Sequence, residues 1–152
     1  AAFQPSRVSF SAVRAAPTMS SVSKPLAPAV DPCTLPGDPS LILSTNIDLG
    51  SEKVDFMKKC SKAIQAATGK PESYIAVCVN DKLDLIWGGE PTPCALGVLY
   101  SIGSISKENN GKLMAQLSEL LEPLGVPKDR IYVNFFDVPR ENVGWNGATF
   151  AG

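Results

Sequence analysis

Histidine is absent from the 152-residue chain. That absence removes the Ser-His-Asp and Cys-His nucleophile systems, the imidazole proton shuttle and nearly every mixed-ligand zinc site. Acid–base chemistry has to come from other groups. The four cysteines, Cys33, Cys60, Cys78 and Cys94, form no C-x-x-C pair, so neither a thioredoxin-type couple nor a zinc ribbon is written here, and buried free thiols are expected. No run approaches the ~18 apolar residues of a membrane-spanning helix, so no membrane span is expected. An excess of either charge is missing too. Against 14 Lys plus Arg stand 15 Asp plus Glu, and no global field draws the chain to nucleic acid or anionic lipid. No motif asks for a metal or an organic cofactor, and neither is expected.

Acid is also missing locally. Residues 1–30 contain no Asp or Glu, while Arg7, Arg14 and Lys24 supply positive charge among many Ser, Ala and Pro residues. Such a stretch cannot build a core. Its composition is that of an organelle-targeting leader or a docking arm. The opening Ala1-Ala2-Phe3-Gln4-Pro5 resembles the Ala-Phe junction of bipartite plastid leaders, which makes a plastid the expected location, with mitochondrion and cytosol as alternatives. Residues 31–38, Asp-Pro-Cys-Thr-Leu-Pro-Gly-Asp, read as a Pro-rich linker, and residues 39–152 as one domain.

What is present in that domain is a pattern written twice. The apolar run Leu41–Leu43 begins a strand. A helix capped by Ser51 follows, with Phe56, Met57, Cys60, Ala63, Ile64 and Ala67 at helical spacing and Gly69 at its stop. Tyr74–Val79 reads as a second strand and Leu83–Trp87 as a short third run. The plan then repeats: a strand over Leu96–Ile102, a helix carrying Leu113, Leu117, Leu120, Leu121 and Leu124, and a strand over Ile131–Phe136. The helix-exit turns align, Gly69-Lys70-Pro71 with Gly125-Val126-Pro127, at an offset of 125 − 69 = 56 residues. The expected fold is α/β: a duplicated βαβ forming a four-stranded mixed sheet with two helices on one face. Strands this apolar do not favour a wet second face, so further copies of the chain are expected to cover it.

Several colinear segments of this domain resemble the macrophage migration inhibitory factor and D-dopachrome tautomerase family. They are Ala67-Thr68-Gly69-Lys70-Pro71-Glu72-Ser73-Tyr74-Ile75, Pro93-Cys94-Ala95-Leu96 with Ser101-Ile102-Gly103, Asp129-Arg130-Ile131-Tyr132-Val133-Asn134, and Asn142-Val143-Gly144-Trp145-Asn146 with Thr149-Phe150. The resemblance implies a homotrimer enclosing a central barrel and keto-enol tautomerisation of small α-keto acids of the phenylpyruvate type. It assigns Pro39 as an N-terminal amine base and Lys70 as the cation that holds the substrate carboxylate. It further assigns the backbone N–H of Ile102 to the substrate, Tyr132 and Asn134 to the adjacent subunit's contribution, and Tyr74, Val143, Trp145 and Phe150 to the apolar wall and rim. Read by themselves, these residues have plainer roles. A lysine after a helix-ending glycine is a solvated end charge, and Tyr74, Tyr132 and Trp145 are packing aromatics.

One departure bears on the chemistry. Within Asp38-Pro39-Ser40 the proline nitrogen is a tertiary amide without a basic lone pair, so it cannot act as a base. Catalysis requires cleavage before Pro39, at a bond most proteases avoid. The alternative is a non-catalytic family member whose extension, residues 1–38, docks it into a larger plastid protein complex. A smaller departure is Cys94-Ala95-Leu96-Gly97, where the family often carries a second cysteine; no dithiol exchange is expected there.

Overall fold

The computed structural model describes residues 38–152. The readings of residues 1–30 as leader or arm and of most of 31–38 as linker, together with Cys33, lie outside the described residues. The chain runs β1 (Ser40–Thr45), α1 (Lys53–Thr68), β2 (Ala76–Asn80), β3 (Ala95–Ser101), α2 (Lys107–Leu121) and β4 (Ile131–Asp137). A hairpin of β5 (Gly144–Trp145) and β6 (Ala148–Thr149) closes it. The sheet order is β2-β1-β3-β4, with β1 parallel to β2, β3 parallel to β4 and the two central strands antiparallel. Each βαβ unit thus supplies one parallel pair, and the units join along β1 and β3.

The duplication is visible in backbone angles. Gly69 ends α1 in the left-handed region at φ 71°, and Gly125 ends the turn after α2 at φ 94°, both conformations that glycine adopts without penalty. In both repeats a proline follows (Pro71, Pro127), then a 3₁₀ turn (Glu72–Tyr74, Lys128–Arg130) that feeds the next strand. Both helices lie on one face of the sheet. Leu41 and Leu43 of β1, Leu99 of β3, Phe56, Cys60 and Ile64 of α1, and Leu113, Leu117 and Leu121 of α2 are buried in the single core between them.

Among the described residues, nothing covers the other sheet face. Ile42, Leu96, Tyr100, Tyr132 and Phe136 point outward from it, Ile42 at 45% exposure and Tyr132 at 63%. Side chains alternate between faces along a strand, so the run that buries Leu41 and Leu43 must also present Ile42. Tyr100 and Phe136 stack on this face with ring centroids 5.3 Å apart.

Three local expectations are corrected. Ser51 does not cap α1. It sits inside a 3₁₀ turn (Gly50–Glu52) that precedes the helix, and the entry is held by Asp48 accepting from Gly50 N–H at 2.8 Å and Asp81 from Leu49 N–H at 3.1 Å. The run Leu83–Trp87 is not a strand. It leads into a tight turn closed by mutual Trp87–Glu90 backbone hydrogen bonds, with Gly88 and Gly89 at positive φ. Among the described cysteines Cys60 and Cys94 are buried, but Cys78 is exposed, because on β2 it alternates onto the bare face. Burial pushes the Cys60 thiol up to about 12, so it is an inert packing group.

Candidate active site

The topology gathers the starts of β1 and β2 and the ends of β3 and β4 at one end of the sheet. Pro39 stands there, immediately ahead of β1. Its side chain is fully buried, and its carbonyl accepts from Ala76 N–H at 2.9 Å. Ser40 pairs with Ala76 on one side and Tyr100 on the other. Continuing the β1–β3 register by one residue sets Pro39 opposite Ser101 and brings Ile102 to the same end.

Lys70 follows Gly69 in the loop from α1 to β2, and only 5% of its surface is exposed. The solvated-end-charge reading therefore fails. In the second repeat the same position is Val126, which is completely buried; a cation thus occupies a site that the repeat geometry makes a core position. Its backbone N–H donates to Thr68 Oγ1 at 3.3 Å. Carrying a lysine into such a position is costly unless its charge is paired. Ile102, 6% exposed, follows β3 in a turn fixed by Gly103 N–H to Asp137 at 2.9 Å and Val138 N–H to the Ser101 carbonyl at 2.9 Å.

An aromatic group stands at the same end. Tyr74 lies 6.0 Å from Trp145, centroid to centroid, and Trp145 stacks on Phe150 at 5.8 Å and 18°. The Val143 carbonyl receives Phe150 N–H at 3.0 Å, and Arg140 Nη2 donates to the Phe150 carbonyl at 2.6 Å. Tyr74, Val143, Trp145 and Phe150 are thereby brought together by the 3₁₀ turn before β2 and the closing hairpin.

Tyr132 and Asn134 are not brought to this group. They sit on β4, paired with Leu96 and Val98 of β3, on the bare face. Pro39's row reaches β4 only at Asp137, and β4 is two strand spacings (~9.6 Å) from β1. A single chain therefore holds two separate groups of the expected residues.

Sequence reasoning missed what fixes Tyr132. The Trp87 ring lies against it at a centroid distance of 4.0 Å. The loop carrying Trp87 is clamped by Arg130, whose guanidinium donates to the carbonyls of Trp87, Glu90, Thr92 and Pro93 at 2.9–3.4 Å. Asn46 adds donations to Leu85, Pro91 and Thr92 and accepts from Cys94 N–H. The only forward signal was the Gly88-Gly89 pair, which marks a turn.

The fold and this constellation define a two-repeat α/β protein with a proline, a buried cation and an aromatic wall at one sheet end. The family profile described as macrophage migration inhibitory factor (MIF) matches residues 38–151, and the chain belongs to that family. It is 41% identical over 113 residues to a macrophage migration inhibitory factor homolog from Trichuris trichiura, covering 74% of this chain and 99% of that protein. Against the Rattus norvegicus protein the figures are 40% over 114 residues, 74% and 99%. Among solved structures, the Trichinella spiralis protein superposes with a TM-score of 0.66 at 37% identity, covering 72% of this chain and 98% of that one. A Prochlorococcus marinus homologue gives 0.70 at 26%, covering 73% and 98%.

Proposed function

We propose that the chain, once Pro39 is its N-terminal residue, is a tautomerase that interconverts keto and enol forms of phenylpyruvate-type α-keto acids. The observation that carries this reading is the buried Pro39 at the same sheet end as the buried Lys70. An α-amino group has an ordinary pKa near ~8. Burial and a neighbouring cation both disfavour its charged form, so the freed amine is neutral near pH 7 and able to take a proton. It removes a proton from the carbon next to the keto group and delivers it to the enolate oxygen so formed, giving the enol. Lys70 holds the carboxylate through a charge-assisted hydrogen bond, the Ile102 N–H supplies a second donor, and Tyr74, Val143, Trp145 and Phe150 receive the ring.

Tyr132 and Asn134 complete a pocket only when another copy of the chain presents them. The proposed active form is accordingly a homotrimer whose bare sheet faces close a central barrel. No metal or organic cofactor enters the scheme. A plastid is the proposed location, on the acid-free composition of residues 1–30.

The test compares purified full chain with a chain beginning at Pro39 in a phenylpyruvate tautomerase assay. The shortened chain is expected to turn over, the full chain not while it remains uncleaved by intact mass, and Pro39→Gly in the shortened chain to lose about 10²–10⁴-fold in kcat. Absence of turnover in the shortened trimer overturns the catalytic reading and favours the non-catalytic subunit docked through residues 1–38.

A further inference from the structure

We propose that the chain frees its own Pro39: the side-chain carboxyl of Asp38 cleaves the Asp38–Pro39 peptide bond in the folded protein. The inference concerns processing and stands apart from whether the freed amine catalyses tautomerisation.

The bond sits where a protease cannot reach it. Pro39 is fully buried, its carbonyl is hydrogen-bonded to Ala76, and from Ser40 the chain is paired on both sides in the middle of the sheet. A protease needs an extended, accessible segment on both sides of the scissile bond, and proline after that bond is a second obstacle. The carboxyl of Asp38 needs no access. It is separated from its own carbonyl carbon by the two carbons that close a five-membered ring, so attack is intramolecular. A residue before proline is confined to extended backbone, and the anchored Pro39 holds the leaving nitrogen still. Because that nitrogen is a tertiary amide, it accepts a proton more readily than the nitrogen of an ordinary peptide bond.

The bonds balance without an enzyme partner. A side-chain oxygen of Asp38 bonds to the Asp38 carbonyl carbon, the carbon–nitrogen bond to Pro39 breaks, and the carboxylic proton ends on the proline nitrogen. The products are a cyclic anhydride on Asp38 and a secondary amine on Pro39. One water then opens the anhydride, leaving Asp38 as a C-terminal residue with two carboxyl groups. Partial burial pushes the Asp38 carboxyl up from its ordinary value, which keeps the reactive protonated form populated at milder acidity. Other charged groups at this end of the sheet are Lys70, Glu72, Asp137 and Arg140. Glu72 is engaged by Lys62 and Ser61, Asp137 by Gly103 N–H, and Arg140 by the Phe150 carbonyl.

The experiment incubates purified full chain from pH 4 to pH 7 with protease inhibitors and follows intact mass and the new N-terminus. Parallel samples are the urea-denatured chain and the folded variants Asp38→Glu, whose ring closure needs one more carbon, and Asp38→Ala. The expected result is first-order cleavage yielding a fragment that starts at Pro39. It should be faster when folded than in urea and about tenfold or more slower in either variant. An intact chain throughout, equal rates in urea, or unchanged cleavage in Asp38→Glu overturns the proposal. Tautomerase assay of the cleaved product separates the two claims: cleavage without turnover leaves self-processing standing and removes the catalytic reading.

Discussion

Lys70 is the residue at which sequence and structure say different things. After Gly69 it reads as a solvated charge, yet it fills the core position that Val126 fills in the second repeat. Nothing in the sequence around it marks burial, and only the alignment of the two helix exits places it opposite a valine. If it holds the substrate carboxylate, Lys70→Met removes a hydrogen bond to a charged group worth about 1.5–3 kcal/mol, a rise in KM of about 10–100-fold. Methionine suits an apolar position, so the thermal midpoint is expected to move by only a few degrees. Steady-state kinetics and a melting curve on the same variant check both halves. A collapsed fold would assign Lys70 a structural role instead. Family resemblance alone singled out Pro39, Lys70 and Ile102, whereas their burial belongs to the three-dimensional structure.

The helices and strands were largely legible because apolar spacing dictates them. The Leu113, Leu117 and Leu121 stripe is the buried face of α2, and Leu117→Ala is expected to cost about 2–5 kcal/mol in urea unfolding. The entry to α1 was not legible, since its stabilising groups come from a distant segment. Asp81 accepts from the Lys53 ammonium at 2.7 Å and from Leu49 N–H, and these hold its carboxyl below the ordinary range. A depressed carboxylate contributes fully above the unfolded pKa of ~3.9 and is lost as pH falls through its lower folded value. Amide exchange at Leu49 and Gly50 is therefore expected to quicken below about pH 4 relative to the α2 core once intrinsic rates are removed, and Asp81→Asn to show that faster exchange already at pH 7. The Leu83–Trp87 segment misled for a related reason: its apolar alternation suits a strand, but Asn46 and Arg130 satisfy the carbonyls of the loop from elsewhere. Arg130→Ala leaves four carbonyls without that donor. It is expected to raise exchange in residues 85–94 and to loosen the Trp87–Tyr132 ring contact, read as altered tryptophan fluorescence.

For the whole molecule, the decisive feature is the sheet face that the helices leave uncovered. Apolar runs such as Leu41–Leu43 and Leu96–Leu99 announced that both faces would carry hydrophobic side chains, and Ile42, Leu96, Tyr100 and Phe136 do so. A patch of this kind on a single chain is an association surface. Leu96→Glu places a charge beside Tyr132 in that face and, if the proposed trimer closes across it, is expected to shift the assembly to monomer in sedimentation analysis. On the proposed scheme, activity should fall with it, because Tyr132 and Asn134 would then no longer complete a neighbour's pocket. Number and symmetry of the copies were not legible from periodicity, which specifies a face and not its partner. The central claim is that Pro39 works as a free amine. Its most direct test is the N-terminal sequence and intact mass of the protein isolated from its native compartment, followed by phenylpyruvate tautomerase assay of that same sample. A chain beginning at Pro39 that turns over the substrate is the predicted result, and an active chain that still carries residues before Pro39 would contradict it.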